Sequence, residues 1–411
     1  MRNDRDCWAR KICAERNIVQ CDLIPIMKSD GSSDKLFDIA LRLTVNLCQP
    51  IFVLFAGSLF DNPHSWVISK EIEANLIKSK PAFVDVAFLK ILEKKMKEFF
   101  KMEWTARDEE SRLVVERILV LLRYVLMIGE NEFGLQNTHN DAKLHDQLLL
   151  AIAESKLDDL FIDLASISEE RDFHLLLMEI VALMIKHHEP RNIINSQRNS
   201  NCRETNKNQD TLNTKSNVEK QPENRKYLSP SHSGFAGSFV IKGLKALNKE
   251  KDIVVHRILP SVNRLDHLNH RKIQKRIPKN RRPFELNEEQ YHSTLKVRIF
   301  LKNFCENFLK RSYNRLMNSC LDSAFAFRRN FGQRYTDIHY YILMSYIMEF
   351  RRLLNLPSSL VKSTNGREGF HRVQVKIDNY LEQTITDRKE ARVHGLRASF
   401  AIKAYKELLC T

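Results

Sequence analysis

Residues 34–55 read DKLFDIALRLTVNLCQPIFVLF, and the first two thirds of the stretch is a helix pattern. Leu36, Ile39, Leu43 and Leu47 recur at helical spacing, and Phe37, Leu41, Val45 and Cys48 fill a second stripe beside them. One apolar stripe marks a surface helix. Two adjoining stripes predict contact on both flanks, the situation of an inner helix in a stacked array or a large bundle. Pro50 ends this helix and suits the start of the next, because it has no N–H to donate within a helix interior.

The rest of the first half repeats the theme. PAFVDVAFLKILEKKMKEFFKM reads as a helix with Pro81 in its first turn and Phe83, Val86, Leu89 and Leu92 inward. ESRLVVERILVLLRYVLMI has the two-stripe character again, DAKLHDQLLLAIAES and LDDLFIDLASIS form a pair, and EERDFHLLLMEIVALMIKHH closes the run. Gly and Pro number only 11 each in 411 residues, and 43% of the residues are hydrophobic. A chain so poor in turn punctuation favours helices. The expected fold is all-α, an irregular armadillo- or HEAT-like α-solenoid with a disordered insertion.

The insertion spans 196–232, where Asn, Gln, Ser, Thr and charged residues displace the large apolar ones; such a segment buries too little surface to offset its ordering entropy. It divides a helical half at 1–195 from a basic, partly ordered segment at 233–283 and a second helical half at 284–411. Ser229 before Pro230 is a weak phosphorylation signal. In the second half Phe300, Phe304, Phe308, Phe325, Tyr340, Tyr341, Tyr346 and Phe350 alternate with Lys and Arg. Their helical spacing favours core packing over base stacking.

Charge points to a polyanion. The chain carries +15 with a sequence pI near 9.4, and Lys242–Arg282 alone holds 13 Lys or Arg against 3 acids. Within that run RKIQKRIPKNRR marks Arg271, Lys272, Lys275, Arg276, Lys279, Arg281 and Arg282 as candidate phosphate contacts or a nuclear-import signal. A solvated charged loop is the plainer alternative. No apolar run approaches the ~18 residues of a membrane span, since ILVLLRYVLMI is interrupted by Arg123. The N-terminal MRNDRDCWARKIC lacks the apolar centre of a secretory signal.

Signatures of chemistry are missing: no GxGxxG, GxxxxGK[ST], HExxH or GxSxG occurs. Cys7, Cys13, Cys21 and Cys48 lack paired CxxC spacing, so buried, reduced thiols are expected rather than zinc ligands. His267 and His270 read as a polar linker pair. Asp158 and Asp159, adjacent and hence divergent on a helix, read as capping or surface acids. No catalytic residue, cofactor or metal site is predicted, and neither a membrane nor a small-molecule substrate.

LFDIALRLTVNLCQPIFVLF, EESRLVVERILVLLRYVLMI, DAKLHDQLLLAIAESKLDDLFIDLAS and HLLLMEIVALM, in that order, resemble the N-terminal region of the Timeless family. Its leucine-rich helix ends in an Asn-Leu-x-Gln-Pro turn, here Asn46, Leu47, Cys48, Gln49 and Pro50. GSFVIKGLKAL, VRIFLKNFCENFLKRSYNRLM, YYILMSYIMEFRR and KAYKELL continue the likeness beyond the insertion. The resemblance implies a non-catalytic nuclear scaffold of the replication fork protection complex. Such a scaffold pairs with a Tipin-like protein, travels with the helicase and polymerases of the replisome, stabilises stalled forks, and supports the S-phase checkpoint and sister-chromatid cohesion. Duplex DNA contact is expected through the basic segment. Timeless proteins usually continue for several hundred residues more, so a natural short form and an N-terminal module are both open. Two other readings stay open as well: a circadian Timeless that partners a transcriptional repressor, and a general nucleic-acid-binding helical adaptor. The partner surface is expected on helices around 295–355, from exposed aromatic and Arg residues.

Overall fold

The computed structural model describes residues 7–29, 33–54, 63–102, 107–129, 143–194, 237–241, 253–257, 293–324, 336–386 and 391–410. The insertion at 196–232, Ser229, Phe325, His267, His270 and the whole stretch from Arg271 to Arg282 lie outside these residues. The chain forms two compact units, one of Met1–Cys202 with Tyr291–Thr411 and the other of Arg203–Gln290.

The described residues of the first unit are helical, as the all-α expectation requires. In chain order the α-helices are α1 (Trp8–Glu15), α2 (Ile24–Lys28), α3 (Asp34–Leu47), α4 (Ile51–Leu54), α5 (Pro63–Ser79), α6 (Val86–Lys101), α7 (Glu109–Met127), α8 (Leu144–Ser155), α9 (Leu157–Ser166), α10 (Arg171–Ile185), α11 (Leu295–Arg311), α12 (Tyr313–Ala324), α13 (Thr336–Leu353), α14 (Arg367–Thr386) and α15 (Ala391–Leu409). Their lengths run from 4 to 20 residues without a common unit. A fixed armadillo or HEAT period is therefore not a feature of these elements.

The opening helix corrects the two-stripe reading. In α3, Ser33 caps the N-terminus by accepting from the Leu36 N–H at 3.3 Å. The buried residues are Phe37, Ala40, Leu41, Thr44, Leu47 and the following Cys48, one face of the helix. Leu36 and Ile39 are 45% and 60% exposed, while Leu43 and Val45 are half-buried against the core. At 100° per residue Leu36, Ile39 and Leu43 fall on the far shoulder from Leu41, beyond the neighbour that covers it. Arg117 on α7 pairs with Asp38 and fixes that neighbour.

Burial on all sides belongs to other helices. Residues Leu121–Leu126 of α7, Leu177–Ile185 of α10 and Thr336–Met348 of α13 are buried without interruption. α10 packs on α7, α12 and α13, and α13 in turn carries α15, which pairs with α14. The second-half aromatics sit here: Phe304, Phe308, Tyr340, Tyr341, Tyr346 and Phe350 are core residues, and the Phe304 and Phe308 rings stack at 5.9 Å. They are not the exposed anchors foreseen for a partner surface at 295–355.

Two helix starts follow from single residues. Pro81 lies not in α6 but in a 3₁₀ turn, Lys80–Phe83, and α6 begins at Val86 because Asp85 accepts from the N–H groups of Ala87 and Phe88. Between α8 and α9 a single left-handed residue, Lys156 at φ 62°, turns the chain and ends α8.

The described residues of the second unit form an antiparallel hairpin, β1 (Gly237–Ile241) and β2 (Ile253–Arg257), with Gly237 opposite Arg257 and Ile241 opposite Ile253. FVI and IVV are β-branched and aromatic runs of strand type. Short runs of this kind carry no helical spacing.

Candidate functional site

The first residues of α13 form the polar centre of the helical body. Thr336 donates to the Glu179 carboxylate of α10, whose other oxygen accepts from Arg123 Nη1 of α7 at 2.7 Å. His339 Nδ1 lies 3.9 Å from the same carboxylate. Burial pushes the Glu179 carboxyl up, but His339, the Arg123 charge and the Thr336 hydroxyl outweigh it and hold it below the usual range.

One residue further, Asp337 is fully buried. It accepts from the Tyr380 hydroxyl of α14 at 2.9 Å and from the Ile338 N–H at 3.0 Å, and pairs with Arg397 of α15 at 3.0 Å. Arg352 adds a two-pronged contact to Glu407 at 3.1 and 3.3 Å. These carboxylates are sealed from solvent and matched by cations on other helices. Such pairs specify which helices meet rather than transfer protons to a substrate. Arg123, which reads in sequence as a break in an apolar run, is buried because Glu179 meets it.

A second cluster gathers the buried His145 and His188 with the exposed His187, the His145 ring lying 5.3 Å from His187 and 6.2 Å from His188. Asp146 Oδ1 stands 3.7 Å from His188 Nε2, and Asp146 Oδ2 accepts from the Thr294 N–H at 3.4 Å. Burial, joined by neighbouring positive charges, lowers His145 well below the usual value and His188 to about 3, while partial desolvation beside Lys186 and Lys80 lowers His187 to about 4. The adjacent pair in KHHE and the His in LHDQ are visible in sequence, but nothing local says that the two segments meet.

The Gln49–Pro50 turn is held from α1. Arg10 donates to the Gln49 side chain at 3.0 Å and to its backbone carbonyl at 3.4 Å. Cys48 beside it is buried, and burial raises its thiol to about 12 despite the Arg10 charge. The motif thus acts as a joint between α1 and α3.

Asp158 and Asp159 occupy the first turn of α9, Asp158 half-buried and Asp159 exposed. Burial, and then the Asp159 charge, lift the Asp158 carboxyl to about 6. Of the seven cysteines among the described residues, Cys7, Cys48, Cys305 and Cys320 are buried, and none of the seven is in a disulfide. No described helix is long and apolar enough to cross a membrane.

The outer face of α6 carries a regular row of charge. Lys90, Lys94, Lys97 and Lys101 are all exposed at i, i+4, i+7 and i+11, a single stripe along the helix. Among the described residues Lys97 is drawn aside, to Glu93. The lysines stand opposite the apolar positions Leu89 and Leu92 that the sequence pattern marks as inward.

The family model described as Timeless protein matches residues 2–241. The chain belongs to the Timeless family. It is 32% identical to the protein timeless homolog of Caenorhabditis elegans over 416 residues, covering 100% of this chain and 30% of that protein. The Homo sapiens homolog is 34% identical over 397 residues, with 96% of this chain and 32% of the relative covered. The Mus musculus homolog is 33% identical over 399 residues, covering 96% and 33%. The chain thus spans about a third of the length of these Timeless relatives, and the match runs through both stretches of the helical body.

Proposed function

We propose that this Timeless-family chain is a non-catalytic nuclear scaffold of the replication fork protection complex. It pairs with a Tipin-like protein, travels with the replisome, stabilises stalled forks, and supports the S-phase checkpoint and cohesion. The observation that carries the reading is the family match along a helical body whose Glu179 and Asp337 carboxylates are sealed inside. Such a body has polar groups that hold shape and an outer surface left for partners. The lysine stripe of α6 favours contact with a polyanion, and duplex DNA is the polyanion a fork offers. Arg271, Lys272, Lys275, Arg276, Lys279, Arg281 and Arg282 remain the proposed second contact or import signal.

The test is recovery of the tagged chain from S-phase nuclear extract, followed by mass spectrometry of bound proteins. Co-recovery of a Tipin-like protein with helicase subunits supports the fork role. A folded, helical chain that recovers neither refutes it for this stretch of the family, and the clock and nucleic-acid adaptor readings then take its place.

A further inference from the structure

Where the first turn of α14 meets α12 and α13, a cleft of about 490 Å³ opens. Three cations line it, Lys362, Arg367 and Arg372, against one carboxylate, Glu368. Lys362 and Arg367 are exposed and form no ion pair with a described residue, and Arg372 stands beside Tyr340. The first N–H groups of the 20-residue α14 have no partner within the helix and add a positive field to the same place.

Two further features are built rather than incidental. Ser363, half-buried, lines the cleft, and its hydroxyl oxygen is covered and has no hydrogen-bond partner among the described residues. Its backbone is clamped, since the Ser363 N–H donates to Asn314 Oδ1 at 3.1 Å. Gly369 lets the preceding loop lie tight against the helix start: a Cβ there would meet the Thr364 carbonyl oxygen at 2.5 Å. Together these place a helix N-terminus and a set of long cations around one space.

We propose that this cleft binds a phosphorylated serine or threonine of a partner polypeptide. A dianionic phosphate takes several charge-assisted bonds at once, which matches two or three cations converging with N–H donors. The cleft is far larger than a phosphate alone. Leu321, half-buried on its wall with Met344 and Val373 buried behind it, receives the apolar part of a peptide, and Glu368 on the rim pairs with a basic residue near the phosphosite. The inference goes beyond the fork reading and uses none of its residues.

The probe is a fluorescent degenerate peptide with a fixed central phosphothreonine, measured by anisotropy on the full chain beside its unphosphorylated twin and with inorganic phosphate as competitor. Binding of the phosphopeptide at least ~10-fold tighter than the twin is expected, with another ~10-fold loss in Arg367→Glu and in Lys362→Glu. Lys35→Glu, an exposed change on α3, leaves binding unchanged. Circular dichroism and melting temperature confirm that each variant is folded, and the milder Arg367→Ala and Ser363→Ala serve if a charge reversal disturbs α14. Equal binding of the two peptides overturns the proposal, as does full affinity in the folded variants. Affinity for inorganic phosphate equal to that for the phosphopeptide overturns the peptide assignment and leaves a free-anion pocket.

Discussion

The contrast between Leu41 and Leu36, five residues apart on α3, sets what a leucine is worth in this chain. Leu41 is 0% exposed and Leu36 is 45% exposed. Leu41→Ala should lower unfolding free energy by about 2–5 kcal/mol, from lost transfer energy plus a cavity, whereas Leu36→Ala should change it by less than ~0.5 kcal/mol. Urea titration of both variants checks this; similar losses would place Leu36 in an interface.

Asp158 carries a pH signature of the opposite sign to most acids. Its folded pKa, about 6, lies above the unfolded value, so its contribution is fully present below about pH 3.8 and lost as pH rises through about 6. Asp158→Asn should therefore stabilise the chain at pH 7.5, by about 1 kcal/mol after allowing for partial exposure, and not at pH 4. Lys156 is strained more simply, because its φ of 62° suits glycine, and Lys156→Gly should be neutral or slightly stabilising where glycine within a helix would cost ~1 kcal/mol.

At the scale of elements, the joints between helices are polar and their surroundings apolar. Glu179 joins α7, α10 and α13 through Arg123 and Thr336, and Asp337 joins α13, α14 and α15 through Tyr380 and Arg397. Removing one partner leaves a buried charge without its match, so Arg123→Met should cost about 3–5 kcal/mol, and restoring balance with Glu179→Leu should recover a large part of it. The folded Glu179 pKa is depressed, so its stabilisation is present above the unfolded value and is lost as pH falls through the folded one. A double-mutant cycle by denaturant unfolding at pH 7.5 measures the coupling; additive losses would mean the two groups do not act as a pair.

The whole molecule should be acid-sensitive through His145, His187 and His188. Their folded pKa values lie below the unfolded one near 6.5, so the unfolded chain binds protons first as pH falls. Stability should drop from about pH 6.5 downward until the folded values are reached, with the buried His188 contributing about 1–2 kcal/mol at pH 5. Urea midpoints at pH 7.5 and 5.0 test it, with His188→Asn expected to flatten part of the slope. A midpoint independent of pH would remove the cluster from the account.

Helix identity was legible from the residues themselves. The apolar spacing in ESRLVVERILVLLRYVLMI, the pair at LHDQLLLAIAES and LDDLFIDLAS, and the core role of Phe304, Phe308, Tyr340 and Tyr341 all follow from period and composition. So does membership of the Timeless family, which the ordered run of segments from LFDIALRLTVNLCQP onward already carried. What local pattern does not contain is the identity of the neighbour. Leu36 and Leu41 are the same residue on the same helix, and only the packing of other helices makes one of them core. Arg123 reads as a charge in an apolar run until Glu179, 56 residues away, arrives to meet it. The cleft at Lys362 and Arg367 exists because α12, α13 and α14 converge. Sequence alone determined most of the helices and the family, because periodicity and order are properties of the chain. The tertiary structure decided which faces are buried, which charges are matched and where an anion can enter, because burial and pairing are properties of groups far apart along it.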